Sequence, residues 1–226
     1  MAANRNNDGI TLHHAALIAG FGMLLMAATA PFAEFFVFPK LIVHGDVEQT
    51  IRNILANRAL YLAGVFACLI NFVCDIVIAW ALYILLVPVN RSLSLLAAWF
   101  RLIYTAIAVS ALFKLIAVFR LLNTPDYSSP QIRFLLDSFR WDWSMSLMLF
   151  DIHLGLLAWL VYRSGYIPRL LGILLAIDGL GWLIDGLSPY FYPHAWLGFV
   201  SVSSLGELVF MLWLLIRGGK IQPSVP

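Results

Sequence analysis

Six stretches of this chain, about 14–38, 60–87, 93–121, 141–162, 168–187 and 195–217, are apolar over lengths that no soluble interior of this size could hide. A helix rises about 1.5 Å per residue, so about 20 residues cross the roughly 30 Å of bilayer hydrocarbon. Barrel strands would show ten-residue alternation of apolar and polar side chains, and these runs show none. Composition agrees, with 62% of the 226 residues hydrophobic, 12% charged and a mean hydropathy of +0.89, where a soluble domain is roughly half apolar and a quarter charged. The expectation is an all-α polytopic bundle of six transmembrane helices, forming one domain over residues 1–226.

The opening MAANRNNDGITLH is polar, and the apolar run behind it is too long for a signal-peptide core, so it reads as a retained first span. Pro31, Pro88, Pro125, Pro130, Pro168, Pro189 and Pro193 fall at or near run ends, where proline is tolerated. The third run has 29 residues and must tilt or protrude. Two connectors are substantial. In residues 39–59, Val47, Ile51, Ile54 and Leu55 recur at helical spacing behind Asp46, a good N-cap, which predicts a short amphipathic helix at the membrane surface. Residues 122–140, LNTPDYSSPQIRFLLDSFR, open as a Pro/Ser turn and close as a second interfacial helix.

The bilayer is therefore the expected partner. A net charge of +2, spread over the loops, argues against nucleic acid. With an N-terminus in the cytoplasm, Arg5, Arg91, Arg163, Arg169, Arg217 and Lys220 lie inside, and Lys40, Arg52, Arg58, Arg120, Arg133 and Arg140 lie outside. That is six against six; weighting short loops close to the spans favours both termini in the cytoplasm. Cys68 and Cys74 sit in one apolar run on different helix faces and read as packing residues.

Charges inside hydrocarbon are expensive and mark structure or function. Asp75 lies near the middle of the second run, Asp151 and His153 of the fourth, Asp178 of the fifth and Glu207 of the sixth. Arg101 and Lys114 in the third run are 13 residues apart, about 20 Å along a helix and on faces about 140° apart. They cannot share a partner. Depth pairs Arg101 with Asp75, with Tyr104 one turn on, and Lys114 with Asp142 or Asp185, as candidate structural ion pairs. Asp151, Asp178 and Glu207 are left without an evident base. Carboxylates so placed hold a proton, meet water or bind a cation. With His153 they are the candidate binding residues for a proton, cation or small solute. Asp151 and His153, two positions apart, point about 200° apart, so they are two faces of one helix rather than a catalytic pair.

No H-E-x-x-H, G-x-S-x-G or CxxC is present. Only His153 is deep enough for an intramembrane haem, which needs two such histidines, so neither metal nor cofactor is expected, and no residue can be named as catalytic. SGYIPRLLG (164–172), DIVIAWALYILLVPVNRSLSLLAAWFRLIY (75–104) and GELVFMLWLLIRG (206–218) together resemble a family of bacterial multi-pass membrane proteins, the domain-of-unknown-function family 4386. That resemblance implies a multi-pass protein of the bacterial cytoplasmic membrane and supplies no reaction. Three functions then compete: binding or transport of a proton, cation or small solute; an enzyme acting on a lipid-like substrate; and a non-catalytic membrane partner or sensor. A cavity lined by Asp151, Asp178 and Glu207 would favour the first. A lateral opening beside His153 would favour the second, and a solid, paired interior the third. Neither the oligomeric state nor the solute follows from sequence.

Overall fold

The computed structural model describes residues 10–191 and 205–221, apart from the side chains of Asp185, Ser188, Pro189 and Tyr190. The expectations for Asp185 and for the first half of the sixth run, 195–204, lie outside the described residues. Within them the chain is all-helical: α1 (Leu12–Pro31), a π-helical segment (Phe32–Val37), α2 (Phe38–Leu41), α3 (Val47–Ala56), α4 (Arg58–Leu86), α5 (Arg91–Leu121), α6 (Ser129–Arg163), α7 (Arg169–Phe191), α8 (Leu205–Arg217) and a 3-10 turn (Gly218–Lys220). The spans Leu12–Leu41, Arg58–Leu86, Arg91–Leu121 and Ser129–Arg163 are long and apolar enough to cross a membrane. α7 covers the fifth apolar run, and of the sixth only α8 is described.

Local signals explain the ends of these helices. Asp46 caps α3 by accepting from Gln49 N–H at 2.8 Å, and Asn90 caps α5 by accepting from Leu93 N–H at 3.0 Å. Pro31 ends the regular hydrogen bonding of α1, and the next six residues wind as a π-helix before α2 resumes. One expectation is overturned. The stretch 122–140 does not carry a separate interfacial helix, because α6 starts at Ser129 and runs unbroken for 35 residues to Arg163. Pro130 lies in its first turn, where a missing N–H costs nothing, and no breaker follows. At about 52 Å, α6 is longer than the hydrocarbon thickness of a bilayer.

Helices α1, α4, α5, α6, α7 and α8 form a closed ring, each packed on the next and α8 returning to α1. Small residues allow the close approaches. A Cβ at Gly172 would lie 2.8 Å from Ala158 O on α6, and one at Gly206 would lie 2.7 Å from Leu174 O on α7. At one end, His13 Nδ1 meets Gly219 O at 2.5 Å, so the start of α1 lies beside the end of α8. At the other, Arg58 joins Asn123 at 2.5 Å and α3 packs against α2, α4 and α6. The outside of the ring is apolar, with Phe35, Ile216, Phe21 and Phe113 each more than 60% exposed. The inside holds the charges. That inversion, with helices of this length, is what a hydrocarbon solvent selects.

Candidate functional site

Arg101 stands on the inner face of α5, 1% exposed, and draws the ring together. Its Nε and Nη2 both point at one oxygen of Asp75 on α4, Oδ1, at 2.9 and 2.6 Å. Nη1 lies 3.1 Å from His153 Nε2 on α6, and Nη2 lies 3.8 Å from Met26 Sδ on α1. The Phe150 ring, one turn before His153, covers the guanidinium with its centroid 5.2 Å from Cζ, and Tyr104 meets Phe150 in a tilted contact, the ring centroids 4.9 Å apart.

These contacts fix the state of the histidine. A guanidinium only donates and a carbonyl only accepts. His153 Nε2 accepts from Arg101, so the proton sits on Nδ1, which donates to Ala97 O at 2.8 Å. The imidazole is neutral, and it completes the hydrogen bonding of a cation rather than receiving protons from a substrate.

Asp178 and Glu207 meet where α7 packs on α8. Asp178, fully buried on α7, accepts from the backbone N–H of Glu207 through Oδ2 at 2.7 Å. That bond satisfies one of the orphan donors of the first turn of α8 and ties α8 to α7. Glu207 is half-buried, and its carboxylate lies within electrostatic reach of Arg101, Asp178, Asp75 and Asp151. Asp151 is 6% exposed. Among the described residues Asp75 Oδ2 and Asp178 Oδ1 are buried with no hydrogen-bond partner. Acids on α4, α6 and α7 thus lie within electrostatic reach of Glu207 on α8, and Asp75 is in direct contact with Arg101. Among the described residues no three His, Cys, Asp or Glu side chains converge tightly enough to hold a metal ion.

Lys114 lies apart from this centre, paired with Asp142 on α6 in a half-exposed contact; the Asp185 side chain is outside the described residues. Cys68 and Cys74 are buried free thiols. One in-span acid escaped the sequence reading. Glu34 lies within the π-helical segment, half-buried, and within electrostatic reach of Tyr104 and Cys68. The signal was an acid three residues after Pro31 in an otherwise apolar PFAEFFVF; the helix continues past it to Leu41, so Glu34 is deeper than the run boundary implied. π-Helical turns of this kind recur at functional sites.

Neither of the cavities at the molecular ends reaches this centre. The larger lies between the 165–169 turn and the end of α8, and a small one of about 60 Å³ lies beneath α3.

Residues 18–218 match a family model described as Domain of unknown function (DUF4386). An uncharacterized protein of Archaeoglobus fulgidus is 35% identical over 164 residues, covering 73% of this chain and 87% of that relative, so such chains are not confined to bacteria. No solved structure matches the chain.

Proposed function

The chain belongs to the DUF4386 family, and on that footing we propose that it is a multi-pass cytoplasmic-membrane protein whose acidic interior binds and passes a proton. The observation that carries this reading is the meeting of Asp178 and Glu207 between α7 and α8, with Asp178 Oδ1 buried and without a hydrogen-bond partner among the described residues, beside an Arg101–Asp75 pair that is already neutral. Charge on Asp178 and Glu207 together is not tolerated in a low dielectric, so the site takes up a compensating positive particle. A proton fits better than a metal or a bulky solute. Among the described residues no three ligands converge on one point, and neither described cavity extends to the acids. Glu207 and Asp178 are the acids that carry the proton, Asp178 being held against α8 by the backbone N–H of Glu207. Arg101 and His153 hold the acids in place.

The test is proton flux into liposomes containing the purified full chain and a trapped pH dye, driven by an imposed potassium diffusion potential. Flux above that of protein-free liposomes is expected, falling to the protein-free level in Glu207→Gln and Asp178→Asn with folding intact. Wild-type liposomes as tight as protein-free ones would overturn the proposal. The network would then be a structural fastener in a non-catalytic membrane partner, a reading that the full burial of Arg101 and Asp75 favours.

A further inference from the structure

The two ends of the ring differ in charge. The turns that join α4 to α5 and α6 to α7, with the end of α8, carry Arg91, Arg163, Arg169, Arg217 and Lys220, and none of the described acids. The opposite end mixes Lys40, Arg52, Arg58, Arg120, Arg133 and Arg140 with Asp46, Glu48, Asp126 and Asp137. At the basic end lies a cavity of about 910 Å³, lined by Tyr166, Arg169, Trp213, Arg217, Lys220 and Ile221 among others. Three of its lining side chains are cationic, and among the described residues none of the three forms an ion pair.

Its wall is preformed. Gly165 at φ +74° reverses the chain after α6, Ile167 N–H donates to Ser164 Oγ at 3.1 Å, and Tyr166 OH donates to Leu85 O at 2.5 Å, fixing the turn against α4. The cavity also sits at headgroup level. It opens where α6 and α8 end and α7 begins, and the neighbouring bases lie over aromatic rings, Arg163 over Trp159 at 5.7 Å and Arg169 over Tyr162 at 5.6 Å. Such cation–aromatic belts mark the membrane interface. Trp213, Ile167 and Ile221 supply apolar surface beside the charges, as a headgroup entering with its glycerol and upper acyl chain requires.

The geometry points to this cavity as a binding site for the phosphate headgroup of an anionic phospholipid, held by Arg169, Arg217 and Lys220. The site is separate from the central carboxylates and stands whether or not they move protons. A lipid rather than a soluble anion is the occupant because the three cations flank an apolar wall at the membrane surface. The volume also exceeds what a single phosphate fills, since pockets of roughly 300–1,000 Å³ hold drug-sized molecules.

The detergent-solubilised full chain is titrated with short-chain phosphatidylglycerol, short-chain phosphatidylcholine or inorganic phosphate, and thermal stability is read. Phosphatidylglycerol should raise the melting temperature and the other two should not. Arg217→Gln and Lys220→Gln should each weaken the apparent affinity about fivefold, the worth of one base near an anionic lipid surface. Arg169→Gln is the alternative variant if either fails to fold, and Arg52→Gln and Arg133→Gln at the far end should change nothing. The inference is overturned by an equal response to both lipids, by a phosphatidylglycerol effect that survives these substitutions, or by inorganic phosphate acting as well as the lipid.

Discussion

Arg101 Nη1 donates to His153 Nε2 across 3.1 Å, and the opposite ring nitrogen donates to the Ala97 carbonyl. The histidine thus passes the demand of a buried cation on to the backbone of α5, the helix that carries the cation. It links α5 to α6 at the level where Asp75 links α5 to α4.

His153→Leu keeps the bulk of the side chain but strands an Arg101 donor and a buried carbonyl. A buried polar group left without its partner costs about 1–3 kcal/mol, more when charged. Unfolding of the detergent-solubilised protein should show a loss of at least that size, and an unchanged unfolding midpoint would contradict the link.

The Arg101–Asp75 pair is 1% and 0% exposed, so either partner left alone is a buried, uncompensated charge. Arg101→Met and Asp75→Leu should each cost about 3–5 kcal/mol, while the double substitution regains part of that loss. Full additivity of the two losses would show that the residues do not act as a pair.

Two glycines make opposite predictions. A Cβ at Gly206 would lie 2.7 Å from Leu174 O and 2.9 Å from Asp178 Oδ2, so Gly206→Ala must push α8 off α7. About 1–3 kcal/mol is the usual cost of such overpacking. A Cβ at Gly155 would meet nothing within 4 Å, so Gly155→Ala should be neutral or stabilising by up to about 1 kcal/mol from helix propensity. Thermal denaturation of both variants decides the matter, and equal behaviour would refute the α7–α8 contact.

His13 meets Gly219, so the start of α1 lies beside the end of α8, and the proposed topology sets that end of the ring, with its all-basic turns, in the cytoplasm. Cysteines introduced at Ile10 and Lys220 should react with an impermeant maleimide only from the cytoplasmic side, and one at Glu48 only from the other. Labelling of positions 10 and 220 from opposite sides would break this topology.

Helical class and the apolar lengths of the helices were legible in the sequence because both are properties of a chain read in one dimension. A largely apolar run of 29 residues is long enough to cross a membrane as a helix, whatever it packs against, and Asp46 caps α3 through an N–H three residues away. The depth of a charge in its run was legible for the same reason, which is why Arg101 could be set level with Asp75. The break near residue 140 was misread because residues 141–162 read as a complete span. Hydropathy falls where α6 leaves hydrocarbon, although its backbone hydrogen bonding does not stop there. Glu34 was missed because a π-helical turn after Pro31 carries the first span further than its apolar pattern predicts. Partner choice was not legible at all. Whether His153 turns to Arg101 or to another helix, and whether Asp178 takes up the N–H of Glu207, depends on which helices are neighbours and how each is rotated about its axis. Those angles are set where Gly172 and Gly206 let backbones touch, by contacts between residues far apart in the chain. A periodicity tells which residues share a face; only the closed ring decides what that face meets.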